Sequence, residues 1–329
     1  MKIKIPEARE LAVGALMSLR YSRQDAETIA DHLIDAALRG VTFGSLARIL
    51  AISEKMKEVS DNRQPVTTLR ETPTSAVIDG GDNVGYVVAH HATRLAIDKA
   101  KRNGMAMVAA RNTFYTGLFS YYMEMATREG LVAMAIGNGP AHVAPEGAAE
   151  GRLGTNPIAF GFPSDHGDPV IWDIGTCAIM HGELLLHRRT GEPLPEGVAL
   201  DSNGQPTRDP VAALAGAIKT WGGHRGSGLS VVVQMLGALC GGPVISPGTV
   251  DMAYFVIVID PKIFLPEGEY PARVNELADE ICSARPIDPQ NPVRMPFARS
   301  AQLRRQNLQS GDIEVPDVVH TGLVEMLNS

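Results

Sequence analysis

Apolar positions recur at helical spacing near both ends of the chain and in short continuous runs between them. "MKIKIPEARELAVGALMSL" reads as a strand end and then an amphipathic helix. Ser22 and Asp25 resemble a helix start, Ile29, Leu33 and Ala37 repeat every four residues, and Gly40 sits where that helix would stop. The first 60 residues are therefore expected to be mostly helical. "SAVIDG" (75–80) predicts a short strand, "GYVVAHHATRLAIDKAKRNG" (85–104) a helix closed by Asn-Gly, and "MAMVAA" (105–110) a buried strand. A helix near 118–129 and the strand "LVAMAIG" (131–137) follow, with further strands at "PVIWDIG" (169–175) and "YFVIVID" (254–260). Residues 188–210 are rich in Gly, Pro, Asp and Asn and read as a long surface excursion. Past Pro266 the helical pattern returns in "YPARVNELADEICSA", "SAQLRRQNL" and a C-terminal segment.

The strand–helix–strand rhythm predicts an α/β core. Helix at both ends suggests that the termini pack together. The expected division is a mainly helical domain from 1–72 with 285–329, and an α/β core at 73–284.

Composition narrows the function classes. The chain has 329 residues, 44% of them hydrophobic, enough for one large domain or a few smaller ones. A net charge of −7 gives a nucleic-acid role no electrostatic support. The basic pairs Arg188-Arg189 and Arg304-Arg305 read as solvated surface. Cys177, Cys240 and Cys282 are odd in number and far apart, so neither a disulfide framework nor a zinc site is indicated. A reducing, cytoplasmic setting fits. Pro6 and the charges around it argue against a signal peptide, and no apolar run approaches the roughly 20 residues of a membrane span.

"GGHRGSG" (222–228) places four glycines in seven residues ahead of a helical apolar pattern. Such a loop can hold an anion at a helix N-terminus, or it can be a tight turn that lets a helix pack closely. The GxGxxG fingerprint after a first strand is absent, as is a Walker A sequence. Two other glycine-bearing polar stretches lie beside strands, "EGRLGTNPIAFGFP" (150–163) and "WDIGTCAIMHGEL" (172–184). Asp173 ends an apolar run, where α/β enzymes place ligand groups; a helix N-cap reads equally well.

Together these segments resemble the type-2 malate/L-lactate dehydrogenase family, which includes malate, ureidoglycolate, sulfolactate and diketogulonate dehydrogenases and Δ1-piperideine-2-carboxylate reductases. The resemblance runs through "ALRGVTFGSLARIL" (37–50), "GRLGTNPIAF" (151–160), "DIGTCA" (173–178), "GEPLPEGVALDSNGQPTRDPVAALAGA" (191–217), "GGHRGSGLS" (222–230) and "RMPFARSAQLRRQNL" (294–308). It implies an α/β NAD(P)-binding core that is not a Rossmann domain, with NADPH or NADH as cofactor, and a homodimer with its active site near the subunit contact. By the same resemblance Asp173, Gly175, Thr176, Cys177, His224, Arg225, Gly226 and Arg299 would line the cofactor site. Cofactor phosphate would meet the amides of 222–226 and Arg225. Arg188, Arg189, Arg225 and Arg299 are each candidates for a 2′-phosphate. Thr155 and Asn156 would lie at the substrate, and Arg48 would hold a substrate carboxylate, a role suited to planar guanidinium.

Two positions depart from the family pattern. Its R-G-x-x-S-H-G-x-x-R motif is here "RGVTFGSLAR", so Ser-His has become Phe43-Gly44. Its N-S-x-H-x-G is here "NTFYTG", with Tyr115 for histidine. Ketone reduction makes an alkoxide that needs a proton donor, and losing a positioned acid costs about 10²–10⁴-fold. An iminium arrives protonated and needs that donor less. Tyr115 can donate a hydrogen bond, and His181 is either a relocated acid or a histidine of structure alone. The resemblance thus implies a reductase of a small carboxylate-bearing imine. Competing readings are a 2-keto acid/2-hydroxy acid dehydrogenase with Tyr115 or His181 as acid, a cofactor-binding protein without redox turnover, and a non-redox enzyme reusing the pocket.

Overall fold

The computed structural model describes residues 1–58, 63–165 and 167–328. The two ends of the chain meet. Strand β1 (Lys2–Lys4) pairs antiparallel with β13 (Asp312–Glu314), setting Ile3 opposite Ile313. Helix α1 (Ile5–Ser18) packs on α11 (Asp317–Asn328), where Leu327 closes on Gly14. Pro6 falls in the first turn of α1, where a missing N–H costs nothing. Helix α2 (Arg23–Leu38) starts at Ser22, whose hydroxyl oxygen accepts the Asp25 amide at 3.1 Å. With α3 (Ala47–Glu58), these elements bury Leu16, Ile29, Leu33, Ile49, Ile52, Val319 and Leu323 in one apolar cluster.

The central sheet has seven strands: β2 (Thr67–Glu71), β3 (Ser75–Val84), β4 (Met105–Phe114), β5 (Val132–Gly137), β7 (Ile158–Phe162), β8 (Val170–Ile174) and β12 (Met252–Ile259), in the spatial order β2-β3-β4-β12-β5-β7-β8. Only β3 and β4 run parallel; every other neighbouring pair in this sheet is antiparallel. This is an α/β fold, but not the parallel, doubly wound sheet whose first crossover carries GxGxxG. Alternation along β4 turns Ala106, Val108 and Ala110 toward α4 (Gly85–Asn103) and α5 (Phe119–Thr127), and turns Ala109 toward the opposite face. That opposite face is partly covered by α8 (His224–Ala238), whose Val233 is fully buried. Helix α4 ends at Gly104 with φ 85°, the left-handed cap expected of Asn-Gly.

A smaller four-stranded sheet holds β10 (Pro206–Thr207), β9 (Ala199–Leu200), β11 (Ala217–Lys219) and β6 (Val143–Ala144) in that order. It packs with α6 (His181–Thr190) and α7 (Pro210–Ala215) around Leu194, Ala199 and Ile218, all buried. The segment 188–210 is therefore more than a surface excursion: Leu194 is a core residue and β9 and β10 are paired. Helices α9 (Glu269–Cys282) and α10 (Ala298–Ser310) lead back to the C-terminal ribbon. Arg304 on α10 is likewise not simply a solvated surface charge, since its Nε lies 2.6 Å from the buried carboxylate of Asp35. Arg305 pairs with Asp168 at 2.5 Å.

Candidate active site

A cavity of about 500 Å³ opens between the terminal helical cluster and the edge of the central sheet. Its walls include the 3₁₀ turn Thr42–Gly44 with the start of α3, the loop 115–118 after β4, the segment after β5 at 138–142, the end of β8, the start of α6 and the residues around Phe297. Among the sequence candidates, Arg48, Tyr115, Thr155, Asp173, Gly175 and His181 line it, and so do Phe43 and Gly44.

Arg48 stands in the first turn of α3 with its guanidinium carbon 4.0 Å from the centroid of the Tyr115 ring. It has no carboxylate partner among the described residues. Tyr115 holds φ 52°, a left-handed backbone that a bulky residue adopts only when its surroundings impose it. Those surroundings are visible. The Tyr122 hydroxyl donates to the Thr116 carbonyl at 2.7 Å, and the Leu118 amide donates to His32 Nε2 at 2.9 Å. Gly117 at φ 75° has no room for a Cβ, which would lie 2.3 Å from the Tyr86 ring.

Electrostatics separate the titratable groups. Burial pushes the Asp173 carboxyl up to about 6, against the opposing pull of the Ser120 amide, which donates to its Oδ2 at 2.7 Å. Burial drives His181 down to about 3, helped by His142, Arg48 and Arg188. His142 is also lowered by burial. The two imidazoles stack with centroids 4.3 Å apart and planes 6° from parallel, an arrangement suited to two neutral rings. His181 is therefore neutral at pH 7 and can offer a hydrogen bond there, but not a stored proton.

The three glycine-bearing stretches meet beside this cavity. The Thr155 carbonyl accepts the Thr176 amide at 3.0 Å and the Thr176 hydroxyl at 3.1 Å. The Thr176 carbonyl in turn accepts the Trp221 amide at 3.3 Å. Asn156 is buried, and its Nδ2 donates to Ser230 and Gln234 on α8. Thr176 and Cys177 are also buried, and burial pushes the Cys177 thiol up to about 12. Gly226 packs so closely that a Cβ would sit 2.1 Å from the Trp221 carbonyl oxygen. Gly222, by contrast, has nothing within 4 Å of where a Cβ would lie, and His224 and Arg225 are exposed there at the start of α8. Arg299 is exposed on α10, outside the cavity wall. Arg188 and Arg189 are drawn to Glu54 at 3.6 and 2.7 Å.

Sequence reasoning held Arg39 and Phe297 only as members of the RGVTFGSLAR and FAR (297–299) segments, with no contact assigned to either, and did not single out His32 or His142. Arg39 lines the cavity while ion-paired to Asp35 at 2.6 Å and to Glu124, its guanidinium 4.5 Å from the Phe297 ring centroid. Phe297 faces the cavity at φ 76°. His32 and His142 carried no spacing signal, since each becomes meaningful only through contacts made across the fold.

The malate/L-lactate dehydrogenase family profile matches residues 3–324. An L-sulfolactate dehydrogenase of Methanocaldococcus jannaschii is 34% identical over 297 residues, covering 88% of this chain and 86% of that protein. A Δ1-pyrroline-2-carboxylate/Δ1-piperideine-2-carboxylate reductase of Pseudomonas aeruginosa is 30% identical, covering 99% of both chains. A crystal structure of a dehydrogenase from Sinorhizobium meliloti superposes with a TM-score of 0.90 at 29% identity, over 99% of this chain and 98% of that one. Matched in sequence and in fold over nearly its whole length, the chain belongs to the malate/L-lactate dehydrogenase family.

Proposed function

We propose that the protein reduces a small carboxylate-bearing imine, a cyclic or N-substituted α-imino acid, with NADPH or NADH. Its family makes it an oxidoreductase of small carboxylates; the preference for C=N is our reading. One observation carries it: Arg48 lines the cavity with no carboxylate partner among the described residues, and Gly44 and Tyr115 stand beside it where, by the family resemblance, two imidazoles would protonate an alkoxide. Arg48 would hold the carboxylate, and the Tyr115 phenol would donate a hydrogen bond to the reacting group. The apolar walls would exclude water.

The residues present suit a nicotinamide dinucleotide. Gly222 and Gly223, at φ 58° and 62°, bring bare backbone to the exposed start of α8, where amides and Arg225 favour phosphate. Asp173, Gly175 and Thr155 line the cavity, and His224, Gly226, Thr176 and Cys177 lie in the adjoining motifs, while Arg299, exposed on α10, would have to meet the cofactor from outside the cavity wall. Bound there, the reduced cofactor would supply the hydride. Glu146 lies near Gly223 and is suited to ribose hydroxyls rather than to phosphate.

A homodimer fits the exposed apolar stripe of Val231, Val232 and Met235 on α8 and of Leu239 at its C-cap. Three free thiols fit a reducing cytoplasm. The Asp173 carboxyl, titrating near neutrality in the same cavity, favours as second reading a 2-keto acid dehydrogenase.

Purified protein with NADPH or NADH decides between them. Pyruvate with methylamine, and Δ1-piperideine-2-carboxylate, should be reduced at least about tenfold more efficiently than pyruvate alone. Faster reduction of the free ketone would overturn the imine reading.

A further inference from the structure

The reductase reading leaves open which carboxylates enter, and the charge inventory of the cavity bears on that. Arg39, Arg48 and Asp173 are the lining residues of Arg, Lys, Asp or Glu type. Arg39 is already paired to Asp35 and Glu124, so Arg48 is the one cation left for a ligand among the described residues. His142 and His181 are kept neutral by burial. Asp173 is the acidic lining residue, its carboxyl pushed up by burial to about 6 and so mostly an anion at pH 7.

Phe43 forms the wall beside Arg48. A Cβ built on Gly182 would lie 3.0 Å from Arg48 Nη1 and 3.3 Å from Phe43 Cδ2, so the guanidinium and the ring border one point in the cavity. Val41, Leu118, Met180, Ile171 and Phe297 continue that wall as apolar surface. A ligand whose carboxylate reaches Arg48 meets this hydrocarbon wall with part of its body, and the other lining groups include uncharged polar side chains such as Ser120, Asn138 and Thr155, together with Asp173. A second carboxylate on that body would lose its water and gain no cation.

Resting on the reductase reading, we propose that Phe43 is a specificity-determining residue. With Arg48 as the one available cation, it closes the site to dicarboxylates and selects monocarboxylates with an apolar body.

The test compares substrates that differ at the far end: 2-oxopentanoate against oxaloacetate and 2-oxoglutarate, each with and without methylamine, in the presence of NADPH or NADH. The unmodified protein should favour the monocarboxylate by on the order of 100-fold in kcat/KM. Phe43→Lys should narrow that ratio at least about tenfold by improving the dicarboxylates. Binding is read separately by calorimetry with the unreactive pair cyclopentanecarboxylate and succinate. If no substrate turns over but cyclopentanecarboxylate alone binds, the reductase reading fails and the monocarboxylate selection stands. Equal use or equal binding of the two classes, no binding of either, or an unchanged ratio in a Phe43→Lys protein with native circular dichroism would overturn it.

Discussion

The guanidinium of Arg48 rests over the Tyr115 ring, 4.0 Å from its centroid. The contact joins the start of α3 to a strained loop after β4, so the proposed carboxylate-binding group and the proposed hydrogen-bond donor position each other. Arg48→Ala should raise KM about 100-fold for any carboxylate substrate, because a charge-assisted pair is lost. Tyr115→Phe keeps the ring under the cation and should lower kcat with little change in KM. Tyr115→Leu removes ring and hydroxyl together and should damage both, cation–π contacts being worth roughly 0.5–2 kcal/mol. Steady-state kinetics on the three variants check this, and a KM for Tyr115→Leu equal to that of Tyr115→Phe would show that the ring does not hold Arg48.

The loop that carries Tyr115 depends on a neutral histidine. His32 is buried, accepts the Leu118 amide at Nε2, and is driven down to about 3 by burial. In the unfolded chain it takes a proton near pH 6.5. Stability should therefore be level above pH 7 and fall as pH drops through 6.5 toward 3, by about 1.4 kcal/mol per unit from this group. His181 acts in the same direction. Urea denaturation at pH 7.5, 6 and 5 measures the slope. His32→Asn keeps a hydrogen-bond acceptor and cannot titrate, so its slope should be shallower by about that amount; parallel slopes would count against it.

Much of the fold was legible because its cues are local. Ser22 and Asp25 announce α2, and Asn-Gly at 103–104 closes α4 where the structure ends it. Strand β2 escaped notice because every one of its residues is exposed at the sheet edge, so no apolar alternation marks it. Strand β7 was hidden by its glycine, which packs against Met123 and Thr127 of α5. At the site, the glycine-bearing stretches stood out by their local glycine density, while Arg48 was found by its likeness to a family motif. Arg39 and Phe297 came with the segments RGVTFGSLAR and FAR but without the ion pairs and ring contact that give them their place, and His32 and His142 were not found, since their roles consist of contacts between segments tens of residues apart. The pairing of Arg304 with Asp35, 269 residues away in sequence, is equally invisible to spacing.

Four arginines were candidates for a 2′-phosphate, and their partners now rank them. Arg188 and Arg189 point at Glu54, and Arg189 is mostly buried. Arg225 and Arg299 are exposed and have no carboxylate partner among the described residues. If NADPH is preferred, Arg225→Ala or Arg299→Ala should weaken NADPH by about tenfold while leaving NADH within about twofold. Arg188→Ala should leave the ratio unchanged. Fluorescence titration of both cofactors reads these shifts, and a loss confined to Arg188→Ala would move the phosphate to α6.

Placing at Phe43-Gly44 the Ser-His pair that the family resemblance implies there tests the proposed lack of a proton donor. Phe43→Ser is sterically easy, since it removes a ring from an open cavity. Gly44→His is tighter: its Cβ would lie 3.2 Å from Val41 Cγ1, so that side chain must give way by a few tenths of an ångström, and 3.4 Å from Leu118 Cδ2, the limit of ordinary contact. Leu118 is itself held through its amide by His32, which makes Val41 the easier neighbour to yield. The double variant Phe43→Ser/Gly44→His should therefore fold with a stability loss of about 1–3 kcal/mol, and adding Val41→Ala should relieve part of it. If the new imidazole reaches the reacting oxygen, ketone reduction should rise about 10-fold or more, while imine reduction, which needs the donor least, should change little. The expected signature is a kcat on pyruvate that falls as pH rises through the pKa of the added histidine. A triple variant that is folded and binds cofactor, yet reduces ketones no faster than the unmodified enzyme, would mean that the missing proton donor is not what limits ketone reduction in this protein.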